Sequence, residues 1–177
     1  MATSTNDNII IVGPMGVGKT TVGKLVAESL DREFVDTDSM IEEMTGLSIA
    51  RIFSERSEAF FRSLEREVVE SIKDQSNLII AAGGGMIVSE ENYRDLSASG
   101  LLVCLLASVD ILTERLRGSN GRPLLHGGKR EDTVKSLLYD RLSTFEKIEH
   151  KIHTDTLEPS AIAENVVRIY RSRTADV

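Results

Sequence analysis

The chain has 177 residues, of which 41% are hydrophobic and 28% charged, and its formal net charge is −7. This length favours one domain over residues 1–177, and the acidic balance argues against nucleic acid as the main ligand. No apolar run approaches the roughly 18–20 residues of a membrane span. Because residues 1–7 lack the basic and apolar segments of a signal peptide, we expect a cytoplasmic protein with no membrane partner.

The first predicted element is a β-branched apolar strand, residues 8–12, which leads into a glycine-rich turn. Residues 13–20 match the phosphate-binding pattern G-x-x-x-x-G-K-[ST], and a helical pattern follows them. Such a loop points backbone N–H groups at an anion, and the helix N-terminus adds further donors. A turn that binds nothing is the alternative, which the strand–turn–helix context disfavours. We assign a nucleoside triphosphate to Gly13, Gly16, Val17, Gly18, Lys19, Thr20 and Thr21, with the Thr20 hydroxyl available to Mg²⁺.

The rest of the chain alternates between strand and helix patterns. Further strands are predicted at 33–36, 78–82, 101–106 and 150–154, and Cys104 in the fourth strand is interpreted as a core residue. Helices are predicted at 20–30, 38–44, 49–56, 58–73, 90–97, 110–117, 131–148 and 160–173. Near-continuously apolar strands in this order predict an α/β fold, with a five-stranded parallel sheet flanked by helices. Ligands bind beyond the carboxyl ends of such strands.

Two segments interrupt the regular alternation. Residues 38–73 insert several short helices between the second and third strands. Residues 117–130 are rich in glycine and indicate a mobile loop. Its cationic residues are Arg115, Arg117, Arg122, Lys129 and Arg130, within it or beside it. An ordinary linker could have this composition, but a cationic flexible segment in a nucleotide enzyme favours a lid that closes over phosphates.

Two carboxylates, Asp36 and Asp38, stand at the end of the second strand. Mg²⁺ prefers oxygen ligands and usually keeps several waters, so Asp36 is a candidate for its coordination shell. Asp38 could face the hydroxyl of an acceptor molecule. The alternative is that Asp38 only caps the following helix, since Asp is a favoured N-cap residue. Local sequence leaves both interpretations of Asp38 open.

Arg62 lies on a helix whose apolar stripe contains a glutamate. The stripe consists of Phe61, Leu64, Val68, Val69 and Ile72, and Glu65 falls inside it. A buried carboxylate needs a cationic partner, because an unpaired buried charge is costly. We therefore expect Glu65 and Glu58 to hold Arg62 in one pose. A surface ion pair of little energetic value is the alternative.

Arg141 falls in the middle of a second apolar stripe. That stripe is formed by Val134, Leu137, Leu138, Leu142 and Phe145. A guanidinium pointed into a cleft suits a ligand carboxylate, although Arg141 could also bury its stem and extend its head outward. The run Gly83-Gly84-Gly85 after the third strand would let backbone N–H groups approach the same ligand.

These segments, in this order, resemble the shikimate kinase family over about residues 8–163. The resemblance rests on the loop, Asp36-Thr37-Asp38, Thr45-Gly46-Leu47-Ser48-Ile49, Glu58-x-x-Phe61-Arg62-x-x-Glu65, Gly83-Gly84-Gly85, Arg122-Pro123-Leu124-Leu125, Arg141 and Asp155-Thr156. It implies a P-loop kinase fold with an inserted helical substrate-binding region at 38–73 and a mobile lid at 117–130. The implied reaction is ATP-dependent phosphorylation of the shikimate 3-hydroxyl, in the route to chorismate, by a monomer. Ser57 stands where the family usually has glycine.

The resemblance also implies a role for each matching residue. Lys19 and Thr20 would serve ATP and Mg²⁺, and Asp36 would support the metal. Asp38 would bond the acceptor hydroxyl, while Arg62 and Arg141 would clamp the shikimate carboxylate with a backbone contact from Gly84. Arg122 would reach the transferring phosphate from the lid, and Arg115 would lie near adenine.

Two other functions are compatible with parts of the sequence. A related small-molecule kinase acting on another hydroxy acid, such as gluconate, could use the same pair of arginines. Residues 58–65 and 122–125 match shikimate kinase better. A non-catalytic nucleotide switch would need only the loop, and an acceptor pocket built from Asp38, Arg62 and Arg141 disfavours it.

Overall fold

A computed structural model of the chain describes residues 7–117, 136, 139, 141 and 143–175. In this part, five strands form one sheet in the order β2-β3-β1-β4-β5, and each neighbouring pair is parallel. The strands are β1 (Asn8–Val12), β2 (Glu33–Asp36), β3 (Leu78–Ala81), β4 (Gly100–Leu106) and β5 (His150–His153). The predicted parallel sheet is confirmed, and no strand end differs from the prediction by more than one residue.

The helices also lie where the periodicity of the sequence predicts them, with ends that differ by at most two residues. They are α1 (Lys19–Leu30), α2 (Thr37–Thr45), α3 (Ile49–Glu55), α4 (Glu58–Ile72), α5 (Glu90–Ser99), α6 (Val109–Arg117) and a C-terminal helix (Pro159–Ala175). A 3₁₀ turn spans Met86–Val88. Of the predicted helix 131–148, only residues 136, 139, 141 and 143–148 are described; 136, 139, 141 and 143–146 are helical. None of the helices in the described ranges is long and apolar enough to cross a membrane.

Alternate side chains of the central strand β1 point to opposite faces of the sheet, as the two-residue period of a strand requires. Ile9 and Ile11 belong to a core cluster completed by α1, α6 and the C-terminal helix. Ile10 and Val12 belong to a second cluster completed mainly by α2, α4 and α5. Cys104 is buried in this second cluster, and burial raises the pKa of its thiol to about 12. The sequence-based interpretation of Cys104 as a core residue is confirmed.

The strand order decides which loops become neighbours. Since β1 lies between β3 and β4, and β3 lies between β1 and β2, the segments that follow β1, β2 and β3 meet at one edge of the sheet. The backbone N–H of Ala82 still bonds to the carbonyl of Ile11, 3.0 Å away, so the third strand is held against the first up to the glycine turn. The phosphate-binding loop, Asp36 and Gly83-Gly84-Gly85 therefore share this edge.

Candidate active site

The loop between β1 and α1 has the backbone conformation that its glycines predict. Gly13, Gly16 and Gly18 have φ values of 142°, 79° and 99°, a region that other residues rarely adopt. Space is a second constraint at Gly13, where a Cβ atom would lie 2.3 Å from the carbonyl oxygen of Leu105. Nζ of Lys19 donates to the carbonyls of Gly13 (2.9 Å) and Pro14 (3.0 Å), so the ammonium group lies across the loop.

Thr20 and Asp36 form an oxygen pair beside the loop. The Thr20 hydroxyl donates to Oδ2 of Asp36 at 2.7 Å. Oδ1 of Asp36 accepts from the backbone N–H groups of Asp38 (3.0 Å) and Ser39 (3.4 Å). Asp36 is therefore the N-cap of α2, and the alternative that Asp38 caps this helix is wrong. The cap fixes the Asp36 carboxylate next to Thr20.

This oxygen pair has the donor chemistry that Mg²⁺ prefers, a hydroxyl and a carboxylate. Among the residues described, no group of three or more His, Cys, Asp and Glu side chains could hold a metal. The pair of one hydroxyl and one carboxylate fits a cation bound mainly through nucleotide phosphates and water.

Asp38 lies in the first turn of α2 and lines a cavity at the sheet edge. Its Oδ1 is so close to Gly83 that a Cβ atom there would lie 2.6 Å from it. The backbone N–H of Gly83 donates to the hydroxyl of Thr37 at 2.8 Å, so this donor is already used within the protein. Gly83 thus contributes space beside the Asp38 carboxylate.

Arg62 is held by two carboxylates of its own helix. Nη1 donates to Oε2 of Glu65 at 2.6 Å, and Nη2 donates to Oε1 of Glu58 at 3.0 Å. The Glu65 side chain is only 2% exposed, whereas that of Glu58 is 69% exposed. An exposed partner adds little, so Glu65 is the main constraint on Arg62. The predicted pose of Arg62 is confirmed.

The buried environment of Glu65 disfavours its charged form. Its Oε1 is buried and has no hydrogen-bond partner within the part of the chain that the structure describes. Burial raises the pKa of this carboxyl above its ordinary value, since a charge loses hydration there. Arg62 opposes the increase, and the neighbouring Asp38 adds to it.

Ser57, which stands where the family pattern usually has glycine, is the N-cap of α4. Its hydroxyl accepts from the backbone N–H of Phe60 at 3.2 Å. Serine is a favoured N-cap, so this residue stabilises the first turn of the helix that carries Arg62.

The cavity has a volume of about 440 Å³ and joins the two halves of the predicted site. It is lined by Lys19, Thr20, Asp36, Asp38, Arg62, Glu65, Gly83, Gly84, Gly85 and Arg141, together with Gly16, Gly18 and Thr21 of the loop. Arg141 is helical and partly exposed. In its predicted stripe, Phe145 is buried, and the other four residues lie outside the described residues.

Three predicted nucleotide-binding residues, Val17, Arg115 and Arg122, remain to be placed. Val17 is 2% exposed and belongs to the core, so only its backbone can serve a nucleotide. Arg115 lies beside the loop, where its Nη1 is 3.5 Å from the carbonyl of Val17. Arg122 and the rest of the predicted lid after Arg117 lie outside the described residues.

The sequence reasoning missed the apolar wall of the cavity. Ile49 and Phe53 lie one turn apart on α3, and both line the cavity with Phe61 of α4. The rings of Phe53 and Phe61 are 4.6 Å apart, centroid to centroid. The spacing of Ile49 and Phe53 was a usable signal, but an apolar pair on a short helix is normally a core pair.

The fold and the site define a P-loop kinase of small molecules. A phosphate-binding loop, a hydroxyl–carboxylate pair and an arginine-lined cavity lie together at one edge of a parallel sheet. The family model for shikimate kinase matches residues 15–171. The shikimate kinase of Thermodesulfovibrio yellowstonii is 41% identical over 163 residues, which cover 92% of this chain and 94% of that protein. That of Vibrio cholerae is 36% identical with the same coverage. The chain belongs to the shikimate kinase family.

Solved structures agree with this assignment. The shikimate kinase of Acinetobacter baumannii, determined in complex with shikimate, has a TM-score of 0.88 and 35% identity, covering 94% of this chain and 93% of that one. A gluconokinase of Sinorhizobium meliloti has a TM-score of 0.61 at 16% identity, covering 98% and 94%. The second likeness shows a shared P-loop kinase fold only.

Proposed function

We propose that the chain transfers the γ-phosphoryl group of ATP to the 3-hydroxyl of shikimate. The observation that carries the proposal is that one cavity contains both the phosphate-binding Lys19 and the two arginines, Arg62 and Arg141. A donor with phosphates and an acceptor with a carboxylate can therefore meet in the same space. Membership of the shikimate kinase family supports this pair of substrates.

On the acceptor side, Arg62 and Arg141 bind the carboxylate of shikimate. Arg62 is already oriented by Glu65, so little side-chain entropy is lost when the ligand arrives. The apolar wall of Ile49, Phe53 and Phe61 packs against the carbon ring. In this proposal residues 38–73 form the acceptor-binding region, and the backbone of Gly84 approaches the ligand.

Asp38 handles the proton of the reacting hydroxyl. Its carboxylate accepts a hydrogen bond from the hydroxyl, aims the oxygen at the γ-phosphorus and takes the proton late in the transfer. Phosphoryl transfer depends mainly on positioning and charge stabilisation, so a weak base in a fixed place is sufficient.

On the donor side, the glycine loop binds the phosphates, and Lys19 exchanges its bonds to Gly13 and Pro14 for phosphate oxygens. Thr20 and Asp36 would hold Mg²⁺, which neutralises phosphate charge when bound with ATP. From the sequence we further propose that Arg122, in a lid at 117–130, reaches the transferring group and that Arg115 lies near adenine.

The other proposed properties follow from the family and the sequence. They are a cytoplasmic location, a single domain over residues 1–177 and a monomeric state, with no nucleic acid or membrane partner. A gluconate-type kinase and a nucleotide switch remain outcomes of the test, and neither is favoured by an observation at the site.

The test is ADP release from ATP and Mg²⁺ with a panel of hydroxy acids that includes shikimate, quinate and gluconate. We expect shikimate to stimulate ADP release far more than the other acids, and we expect omission of Mg²⁺ to abolish turnover. No stimulation by shikimate would overturn the proposal. Stimulation by gluconate alone would identify the related kinase, and ATP binding without any acceptor effect would identify the switch.

A further inference from the structure

The helix α4 carries a second arginine one turn beyond Arg62, and it contacts a different element. Nη1 of Arg66 donates to the carboxamide oxygen of Asn92 on α5 at 3.1 Å, and Nη2 donates to Oδ2 of Asp95 at 2.6 Å. Arg66 also pairs with Glu70 and Glu91 on the surface. Arg66 therefore fastens α4 to α5.

Asn92 is a buried polar residue with a partner on each side of its carboxamide. It is 2% exposed, and its Nδ2 donates to the carbonyl oxygen of Met86 at 3.2 Å. Only one orientation of the amide lets the oxygen accept from Arg66 while the nitrogen donates to a carbonyl. Asn92 is thus a fixed bridge between Arg66 and the backbone of Met86.

Met86 directly follows the glycine turn that faces Arg62. Its backbone N–H donates to the carbonyl of Gly83 at 3.0 Å, which closes the turn. On the other side of the turn, a Cβ atom at Gly85 would lie 2.6 Å from Nη1 of Arg62. These contacts form a closed ring. It runs from Arg62 along α4 to Arg66, through Asn92 to Met86, and back to Arg62 through the glycine turn.

We propose that Asn92 is a positioning residue for the acceptor: through Arg66 and Met86 it sets the gap between Arg62 and the Gly83-Gly84-Gly85 turn. The inference rests on the proposed function, because it takes the ligand that Arg62 binds to be shikimate. Arg62 and the turn are already in close contact, so a shift of the turn displaces the guanidinium group of Arg62. A displacement of about 1 Å in a positioned group can cost up to about 100-fold in rate.

A purely structural role for Asn92 makes a different prediction. Loss of a buried hydrogen-bonded group lowers stability, and it would then reduce the active fraction without changing the affinity of the remaining enzyme. A positioning role raises the KM for shikimate in fully folded enzyme and leaves the KM for ATP unchanged. The ratio of the two KM values therefore separates the roles.

The experiment compares Asn92→Ala, Asn92→Asp, Arg66→Met and the double variant Arg66→Met/Asn92→Ala. Asn92→Asp keeps an oxygen for Arg66 but loses the donor to Met86, and Arg66→Met keeps the apolar stem but loses the donors. We expect each to raise the KM for shikimate about tenfold, with the KM for ATP changed less than twofold. Because the members form one chain, the double variant should resemble the single variants. Arg168→Met, at an exposed side chain on the C-terminal helix, is the matched control and should match the wild type.

Activity of the wild type with shikimate is measured first, so that failure of the proposed function is seen separately. An unchanged KM for shikimate in folded Arg66→Met and Asn92→Asp would overturn the positioning role, as would an equal rise in both KM values. Additive effects in the double variant would also overturn it. If Asn92→Ala does not fold, Arg66→Met decides the question, since this side chain is partly exposed.

Discussion

The guanidinium group of Arg62 packs directly over the Cα atom of Gly85. A Cβ atom at position 85 would lie 2.6 Å from Nη1 of Arg62, closer than real Cβ contacts allow, and 3.0 Å from Nη2, a tight contact. Gly85 has φ of −115°, so its backbone conformation does not require glycine. Glycine is required because the Arg62 guanidinium occupies the space that a side chain would fill. Arg62 is held from one side by Glu65 and from the other by the glycine turn, and this double constraint shapes the acceptor half of the cavity.

Gly85→Ala should displace Arg62 and weaken acceptor binding. The new methyl group would force the guanidinium away from the turn while Glu65 holds it from behind. We expect the KM for shikimate to rise at least tenfold, with the KM for ATP unchanged, in steady-state assays. Asn77→Ala is the control: Asn77 has φ of 67° and is exposed directly before β3, at the opposite end of that strand from the glycine turn, so alanine there should cost stability without changing either KM. A Gly85→Ala enzyme with wild-type affinity for shikimate would show that Arg62 does not bind the carboxylate.

Arg141→Ala should remove the other half of the carboxylate clamp. A charged hydrogen bond contributes roughly 1.5–3 kcal/mol, so we expect the KM for shikimate to rise by about two orders of magnitude. Calorimetric titration with shikimate should show the same loss. Arg168→Ala, at an exposed side chain on the C-terminal helix, serves as the control. Unchanged acceptor kinetics in Arg141→Ala would assign Arg141 a structural role.

Asp38→Asn should slow the chemical step while both substrates still bind. The amide retains an oxygen that can orient the hydroxyl but cannot take its proton efficiently. General base catalysis typically contributes about 10²–10⁴-fold, so kcat should fall within that range. Asp74→Asn, an exposed substitution, controls for the loss of one negative charge. If kcat falls less than about threefold, proton transfer to Asp38 is not part of the rate-limiting step.

The buried Glu65 should make stability depend on pH in an unusual direction. Burial raises the pKa of Glu65 above its ordinary value of 4.5; Arg62 and Arg141 oppose the rise, and Asp38 adds to it. The folded state therefore binds this proton more tightly than the unfolded state. Glu65 thus contributes less stability as pH rises from about 4.5 through its folded pKa.

Thermal unfolding of the wild type and of Glu65→Gln across this pH range measures the effect. As pH rises, the Tm of the wild type should fall relative to the Tm of Glu65→Gln, because the variant has no titrating group at this position. Glu67→Gln, an exposed position on the same helix, should show no such trend. A wild type that gains stability relative to Glu65→Gln would mean that Arg62 outweighs burial and lowers the pKa.

Within the described residues, local sequence predicted the strands, the helices and the glycine loop, which depend on a repeating pattern or on a short motif. The alternation of apolar residues located the strands and helices to within two residues of their observed ends in the described chain, because helix and strand periods are properties of the backbone itself. The Gly13–Thr20 motif predicted the backbone conformation of the loop, because positive φ values depend on its own glycines. Glu65 inside an apolar stripe was sufficient to pair it with Arg62, three residues away.

Tertiary structure decided the contacts that join distant segments. The pattern Asp36-Thr37-Asp38 did not show which carboxylate caps α2, because the cap depends on the angle at which the strand enters the helix. It also did not show that Thr37 occupies the N–H of Gly83, 46 residues away. The Arg66–Asn92–Met86 bridge has no local signature, since an arginine on a helix and an asparagine on another are ordinary surface residues until packing buries one of them. Sequence placed Arg62 on the correct face of its helix; only the packing of α4 against the glycine turn set how closely that arginine approaches Gly85.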